Sequence, residues 1–132
     1  MTAEKAPEVK KIAEPQDIMK ARKIVNKIYV DPKVIDYVVD IVFATREPEK
    51  FNLEELKPLI EYGASPRASI NLIQAAKAHA FMKGRGFVTP EDIKAIGRDV
   101  LRHRVIPSFE AEAEEMDSDA IINRIFSEIE VP

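Results

Sequence analysis

Three times in this chain a short oxygen-bearing side chain stands directly before a proline, and an apolar helical repeat follows: Asp31–Pro32, Ser65–Pro66 and Thr89–Pro90. Aspartate, serine or threonine in that place can accept a hydrogen bond from the free amides of a first helical turn. Proline suits the first helical position because its missing N–H would have had no partner there. Three such junctions partition the chain into helices and leave little room for a sheet. The expected fold class is all-α, a small bundle of about five helices. The short pieces "IYV" (28–30) and "RVI" (104–106) could form one minor strand pair.

The apolar spacing fills in the elements. From Pro15 the residues Ile18, Ala21, Val25 and Ile28 step by three and four, with Lys20, Arg22, Lys23 and Lys27 between them. After Pro32 come Val34, Val38, Ile41 and Val42, with Ile35, Val39 and Phe43 beside them, so that helix is expected at the centre. The stretch 47–63 breaks the periodicity with two prolines and a glycine, and one turn of helix is expected near Leu56 to Ile60. A third helix runs from Pro66 to about Lys83 and is closed by Gly84. A fourth starts at Thr89–Pro90 with Glu91 and Asp92 in its first turn and carries Ile93, Ile96 and Val100. After a connector, a last helix carries Ile122, Ile125, Phe126 and Ile129. Residues 1–14 are polar and read as a flexible tail or linker, and 15–132 as one domain.

Composition narrows the function classes. The net charge of −3 gives no general attraction toward nucleic acid or anionic lipid. The absence of cysteine excludes disulfides, thiolate metal sites and cysteine nucleophiles, and suits a reducing, cytoplasmic setting. No apolar run approaches the ~18 residues of a membrane span. The two histidines, His79 and His103, are far apart and form no zinc-type pair, so no metal site is expected.

One residue breaks the helix rules. In "YGASPRAS" (62–69) Arg67 occupies a first helical turn, where the backbone amides already carry partial positive charge and a cation costs about 0.3–1 kcal/mol. The fourth helix of the same chain starts with two acids instead. At 100° per residue, Arg67, Asn71 and Gln74 share one polar strip, with Leu72, Ile73, Ala75, Ala76 and Ala80 opposite and Ile70 and Phe81 beside it. Two readings fit. Arg67 pairs with a nearby surface acid, or Arg67 and the helix end together face an anion such as phosphate, with Ser65, Pro66 and Asn71 around it.

A longer stretch bears on the choice. "YGASPRASINLIQAAKAHAFMKGRGFVTPEDIKAIGRDVLRHRV" (62–105) resembles the lid region of the MoxR family of AAA+ ATPases. Three elements carry the resemblance: Gly63 to Ala68 opening a lid helix, Gly84 to Asp92 opening the next, and Leu101 to Arg104 closing it. Upstream "IYVDPKVIDYVVDIVFATR" and downstream "FEAEAEEMDSDAIINRIFSEIEVP" extend it from about Ile18 to Pro132. The resemblance implies a C-terminal helical lid whose Arg67 is the sensor 2 arginine, acting on the γ-phosphate of ATP held with Mg²⁺ by a preceding core domain. It also implies a homo-oligomeric ring, a hexamer, in the complete protein, with a chaperone-like role beside proteins carrying a von Willebrand factor A domain. A magnesium-chelatase-like lid is the nearest alternative, and a stand-alone helical module binding protein or nucleic acid is the alternative from another class.

The catalytic half of such an ATPase is not in the sequence. No G-x-x-x-x-G-K-[ST] spacing occurs among the four glycines, Gly63, Gly84, Gly86 and Gly97. The chain is therefore expected to be inactive alone and to bind no cofactor tightly, as an excised domain or fragment would. The remaining candidates have plainer readings. His79 is expected to pack in the core or at an interface, and Arg102, His103 and Arg104 to cap a helix end, as is Arg46 in "ATR". Glu110, Glu112, Glu114 and Glu115 read as a solvated acidic stretch. Lys83, Arg85, Lys94, Arg98, Arg102 and Arg104 form a basic set without the interleaved aromatic residues that nucleic-acid binding favours.

Overall fold

The computed structural model describes residues 5–132 and shows six α-helices, two 3₁₀ turns and one small antiparallel strand pair. In chain order these are α1 (Pro15–Val25), α2 (Pro32–Arg46), 3₁₀ turns at Pro48–Phe51 and Glu54–Leu59, β1 (Ile60–Tyr62), α3 (Arg67–Met82), α4 (Pro90–Leu101), β2 (Ile106–Pro107), α5 (Phe109–Ala113) and α6 (Ser118–Glu128). Among the described residues of the expected tail, 5–14 carry no helix or strand, while residues 1–4 lie outside those described.

Two of the three proline junctions cap as the chemistry demands. Asp31 Oδ1 accepts from the Lys33 amide at 2.8 Å. Asp92 Oδ2 reaches back to the Thr89 amide at 2.8 Å. The third does not: Pro66 itself adopts helical angles (φ −55°, ψ −24°), and among the described residues the Ser65 hydroxyl makes no bond to the first turn. Its carbonyl accepts from the Ala68 amide instead, at 2.9 Å. The expected serine cap is thus absent, and the amino end of α3 has no side-chain oxygen on its free amides.

α2 is the central helix, packing against α3, α6, α4, β1 and the first 3₁₀ turn. Val34, Tyr37, Val38, Ile41, Val42, Ala44 and Thr45 are its buried positions. Ile35, Val39 and Phe43, expected beside this core, instead remain partly open to solvent. The stretch 47–63 proves to be a core element. A 3₁₀ helix repeats every three residues, so Leu53, Leu56 and Leu59 fall on one face, and all three are buried.

α3 closes in a Schellman motif: Gly84 adopts φ +75°, the Arg85 amide bonds to the Ala80 carbonyl at 3.0 Å and the Gly84 amide to Phe81 at 2.9 Å. α3 and α4 then form the tightest helix pair, with α6 covering α4. The two strand-like pieces do not pair with each other. Tyr29 of "IYV" makes a parallel bridge with Phe87, and Ile106 of "RVI" pairs with Tyr62. Each is held near its partner by the helices that flank it, so tertiary packing chose the pairing. Within the connector, Ser108 caps an additional short helix, α5, whose Ala111 is buried, while Glu110, Glu112, Glu114 and Glu115 stay exposed. No helix among the described residues is long and apolar enough to cross a membrane.

Candidate functional site

The amino end of α3 is positioned by a close approach to the carboxy end of α2. Thr45, buried in α2, donates its hydroxyl to the Val42 carbonyl at 2.6 Å and accepts from the Ala64 amide at 2.9 Å. One side chain thereby fastens the "GASPR" segment to the central helix. Gly63 makes the approach possible: a Cβ there would lie 2.3 Å from the Thr45 carbonyl oxygen and 2.9 Å from Arg46 Cγ. Backbone cannot yield as a flexible side chain can. Gly63→Ala is therefore expected to cost about 1–3 kcal/mol, read as a lowered urea midpoint with unchanged slope. Thr45→Val should cost a similar ~1–3 kcal/mol by leaving the Ala64 amide buried without a partner. Broadened NMR amide signals confined to residues 63–69 would be its local signature.

Arg67 emerges from this anchored segment exposed, and among the described residues it forms no ion pair and no hydrogen bond. The pairing with a surface acid, one of the two readings of the sequence, is not found. Ser65 and Pro66 are exposed beside it, and Asn71, one turn on, is half-buried with no side-chain partner among the described residues. Gln74, the third member of the strip, is exposed further along the helix. Arg46 does not cap α2. Its stem lies against Gly63, and it lines a small cleft with Phe43, Pro66 and Ser69. An uncapped helix end, an unpaired guanidinium and small residues around both suit an anion, phosphate above all.

The other end of α3 is held by a cluster that sequence reasoning did not assemble. Asp92, completely buried, takes two hydrogen bonds from Arg85 at 2.7 and 2.6 Å. His79 Nδ1 lies 2.6 Å from its Oδ1, and both the amide and the hydroxyl of Thr89 bond its Oδ2. Burial pushes the Asp92 carboxyl up, but Arg85, the Thr89 amide, His79 and the Thr89 hydroxyl together outweigh burial and hold it well below the carboxylate range. The signal was in the sequence as helix-start acids after a Gly-Arg turn. Nothing in the spacing showed that His79, thirteen residues away, would meet them.

Half of the basic set has partners, while Lys83, Lys94 and Arg98 meet no carboxylate among the described residues. Arg85 is spent on Asp92, and Arg102 bonds Asp119 at 2.8 Å and Asp99 at 3.1 Å. Arg104 caps the end of α4 through the Val100 carbonyl at 2.6 Å, while the His103 ring meets Arg104 and bonds no carbonyl of α4 among the described residues. So Arg104 alone does the capping that the three residues were expected to share.

Residues 54–125, more than half of the chain, match the AAA lid domain family. The chain belongs to that family. The relatives of this lid refine the assignment. It is 37% identical over 126 residues to Chaperone MoxR1 of Mycobacterium tuberculosis, covering 96% of the lid and 33% of that protein. With Protein MoxR of Paracoccus denitrificans it shares 34% identity over 110 residues, 79% of the lid and 32% of the relative. A crystal structure of a candidate ATPase from Cytophaga hutchinsonii superposes with TM-score 0.85 at 41% identity, over 89% of the lid and 36% of that chain. The lid is thus of the MoxR type, and it spans about a third of the length of the curated relatives it matches.

Proposed function

We propose that this lid supplies Arg67 as the sensor 2 arginine of an ATP site whose P-loop belongs to a core domain outside this sequence. The observation that carries the reading is the unpaired, exposed guanidinium at an uncapped helix end. Each feature is unfavourable beside the other in the lid alone, because a cation at a helix amino end is repelled. A polyanion attracts both, and its charge offsets their repulsion.

The residues present fit a phosphate group. Arg67 would donate to terminal phosphate oxygens, and Asn71 and the Arg67 amide lie close enough in sequence to support it. Ser65 and Pro66 keep the approach narrow. ATP with Mg²⁺, when bound by the core, supplies the phosphoanhydride bond. Arg67 stabilises the negative charge that spreads over the transferring phosphoryl group. Thr45 and Gly63 hold the arginine's helix at a fixed place on α2, so that movement of the lid carries Arg67 with it as a rigid attachment.

The likeness to MoxR proteins, one of them a chaperone by name, supports a chaperone-like remodelling role for the complete protein. A homo-oligomeric ring, a hexamer, and a partner with a von Willebrand factor A domain belong to the same proposal, as does a cytoplasmic location. The test joins this lid to an ATPase core and compares ATP turnover with Arg67 present and removed. Equal rates would end the reading.

A further inference from the structure

An open cleft of about 580 Å³ lies between α1 and α3, lined by none of the residues around Arg67. Its lining is mostly apolar, Ile18, Ala21 and Val25 from α1 and Ala78, Phe81 and Met82 from α3, with the amides of Asn26 and Gln74 among them. Arg22 and Lys77 stand on its rim, and neither meets a carboxylate among the described residues.

α1 itself is under-packed. None of its eleven residues is buried, and Ile18, Met19 and Ile24 are each more than half exposed. An isolated helix of that length is marginal in water, since helices shorter than ~12–15 residues rarely hold without tertiary packing. Met82 on the opposite lip is 82% exposed. Apolar side chains on both sides of an open channel, with a helix that has little else to lean on, describe one half of a helix-in-groove contact.

The charge distribution says what kind of helix. Residues 18–30 carry Lys20, Arg22, Lys23 and Lys27 and no acid. Residues 63–90 carry Arg67, Lys77, Lys83 and Arg85, again with no acid. Among the described residues, Arg85 is the one of these eight cations that pairs with a carboxylate. In a protein of net charge −3, the two helices that wall the cleft are mostly positive, with Asp17 in the first turn of α1 the one acid in either.

From this geometry we infer that the α1/α3 cleft is a docking groove for an acidic amphipathic helix of a protein partner. Apolar side chains spaced along one face of that helix fill the floor, and glutamates or aspartates on its flanks meet Arg22 and Lys77. The aliphatic floor favours protein over nucleic acid, because only Phe81 offers a ring for base stacking. The groove uses residues other than Arg67 and stands whether or not Arg67 senses phosphate.

The probe is a fluorescently labelled helical peptide with leucines at i, i+3, i+4 and i+7 and glutamates on its flanks. A second peptide keeps the leucines and replaces every glutamate by lysine, and a short generic DNA duplex serves as competitor. Saturable binding of the glutamate peptide alone is expected, with amide shifts confined to Ile18–Asn26 and Gln74–Met82. The double reversal Arg22→Glu/Lys77→Glu should weaken it by about tenfold or more. Met82→Glu, a change at a solvent-exposed lip that leaves folding untouched, should weaken it as well. Equal binding of both peptides, insensitivity to these variants, or shifts elsewhere would overturn the inference. So would displacement of the peptide by the duplex, which marks a nucleic-acid surface, or concentration-dependent self-association that closes the cleft with a second copy.

Discussion

Arg67→Ala, in a polypeptide that joins this lid to a P-loop core, is expected to lower ATP turnover by about 10²–10³-fold. ADP affinity should stay near its starting value, because the lost donor acts where charge develops on the transferring phosphoryl group. The structural side of the same substitution separates function from folding. Arg67 is exposed and has no ion pair or hydrogen bond among the described residues, so its truncation breaks no polar contact seen in the lid. It also removes a cation from a helix amino end, which should stabilise the isolated lid by a few tenths up to ~1 kcal/mol. A variant that is slightly more stable and far less active is the mark of a residue kept for its ligand. Arg67→Lys should recover part of the activity, since lysine keeps the charge and loses the planar two-point donor geometry. Unchanged turnover in Arg67→Ala would return the residue to an ordinary exposed cation.

The largest stability effect is expected at Asp92. Asp92→Asn leaves Arg85 and His79 facing a neutral amide in a site with no solvent access to the side chain it replaces. Breaking a buried pair costs about 3–5 kcal/mol in general. The low end, ~3 kcal/mol, is expected here because Arg85 keeps 30% of its side chain in contact with water. That is a large part of the 5–15 kcal/mol that stabilises a typical domain. The pH dependence follows from the sign of the shift. The folded-state pKa of Asp92 lies below its unfolded value, so its contribution is complete above about pH 4–5 and is lost as pH falls from there through the folded value. Urea unfolding of the two proteins should differ by a constant amount above about pH 5, and the difference should shrink progressively as pH falls below about 4. A difference that does not shrink in acid would mean that the carboxylate charge is not what Arg85 and Thr89 recognise.

Much of the lid was legible from residue spacing. The helix starts at Pro32 and Pro90, the glycine that closes α3 and the central place of α2 all follow from local rules, because caps and apolar stripes act within one or two turns. Three features escaped. Leu53, Leu56 and Leu59 step by three, a period that reads as irregular against a helical template and becomes a buried face only when the chain winds as 3₁₀. Ile35, Val39 and Phe43 looked like core from their apolarity, yet they lie on the side of α2 that no other element of the lid fully covers. The Ser65 cap failed because Pro66 is already helical and the segment before it is drawn onto Thr45 instead. The anomaly of Arg67 was visible at once, since it violates a local electrostatic rule. Its lack of any partner was not, because a cation's partners are set by what folds beside it.

The sequence by itself determined the all-α class, the helix starts and the one arginine placed against the charge of its own helix. These depend on φ preferences, periodicity and the helix dipole, each felt over a few residues. Only the tertiary structure decided that Thr45 would fasten Ala64, that Gly63 must pass within contact of the α2 backbone, and that His79, Arg85 and Thr89 would converge on Asp92. The Thr45–Ala64 contact spans nineteen residues, and such contacts form only after helix packing has spent the chain's conformational entropy on one arrangement. No local rule carries that choice, and the place of Arg67 on the surface depends on it.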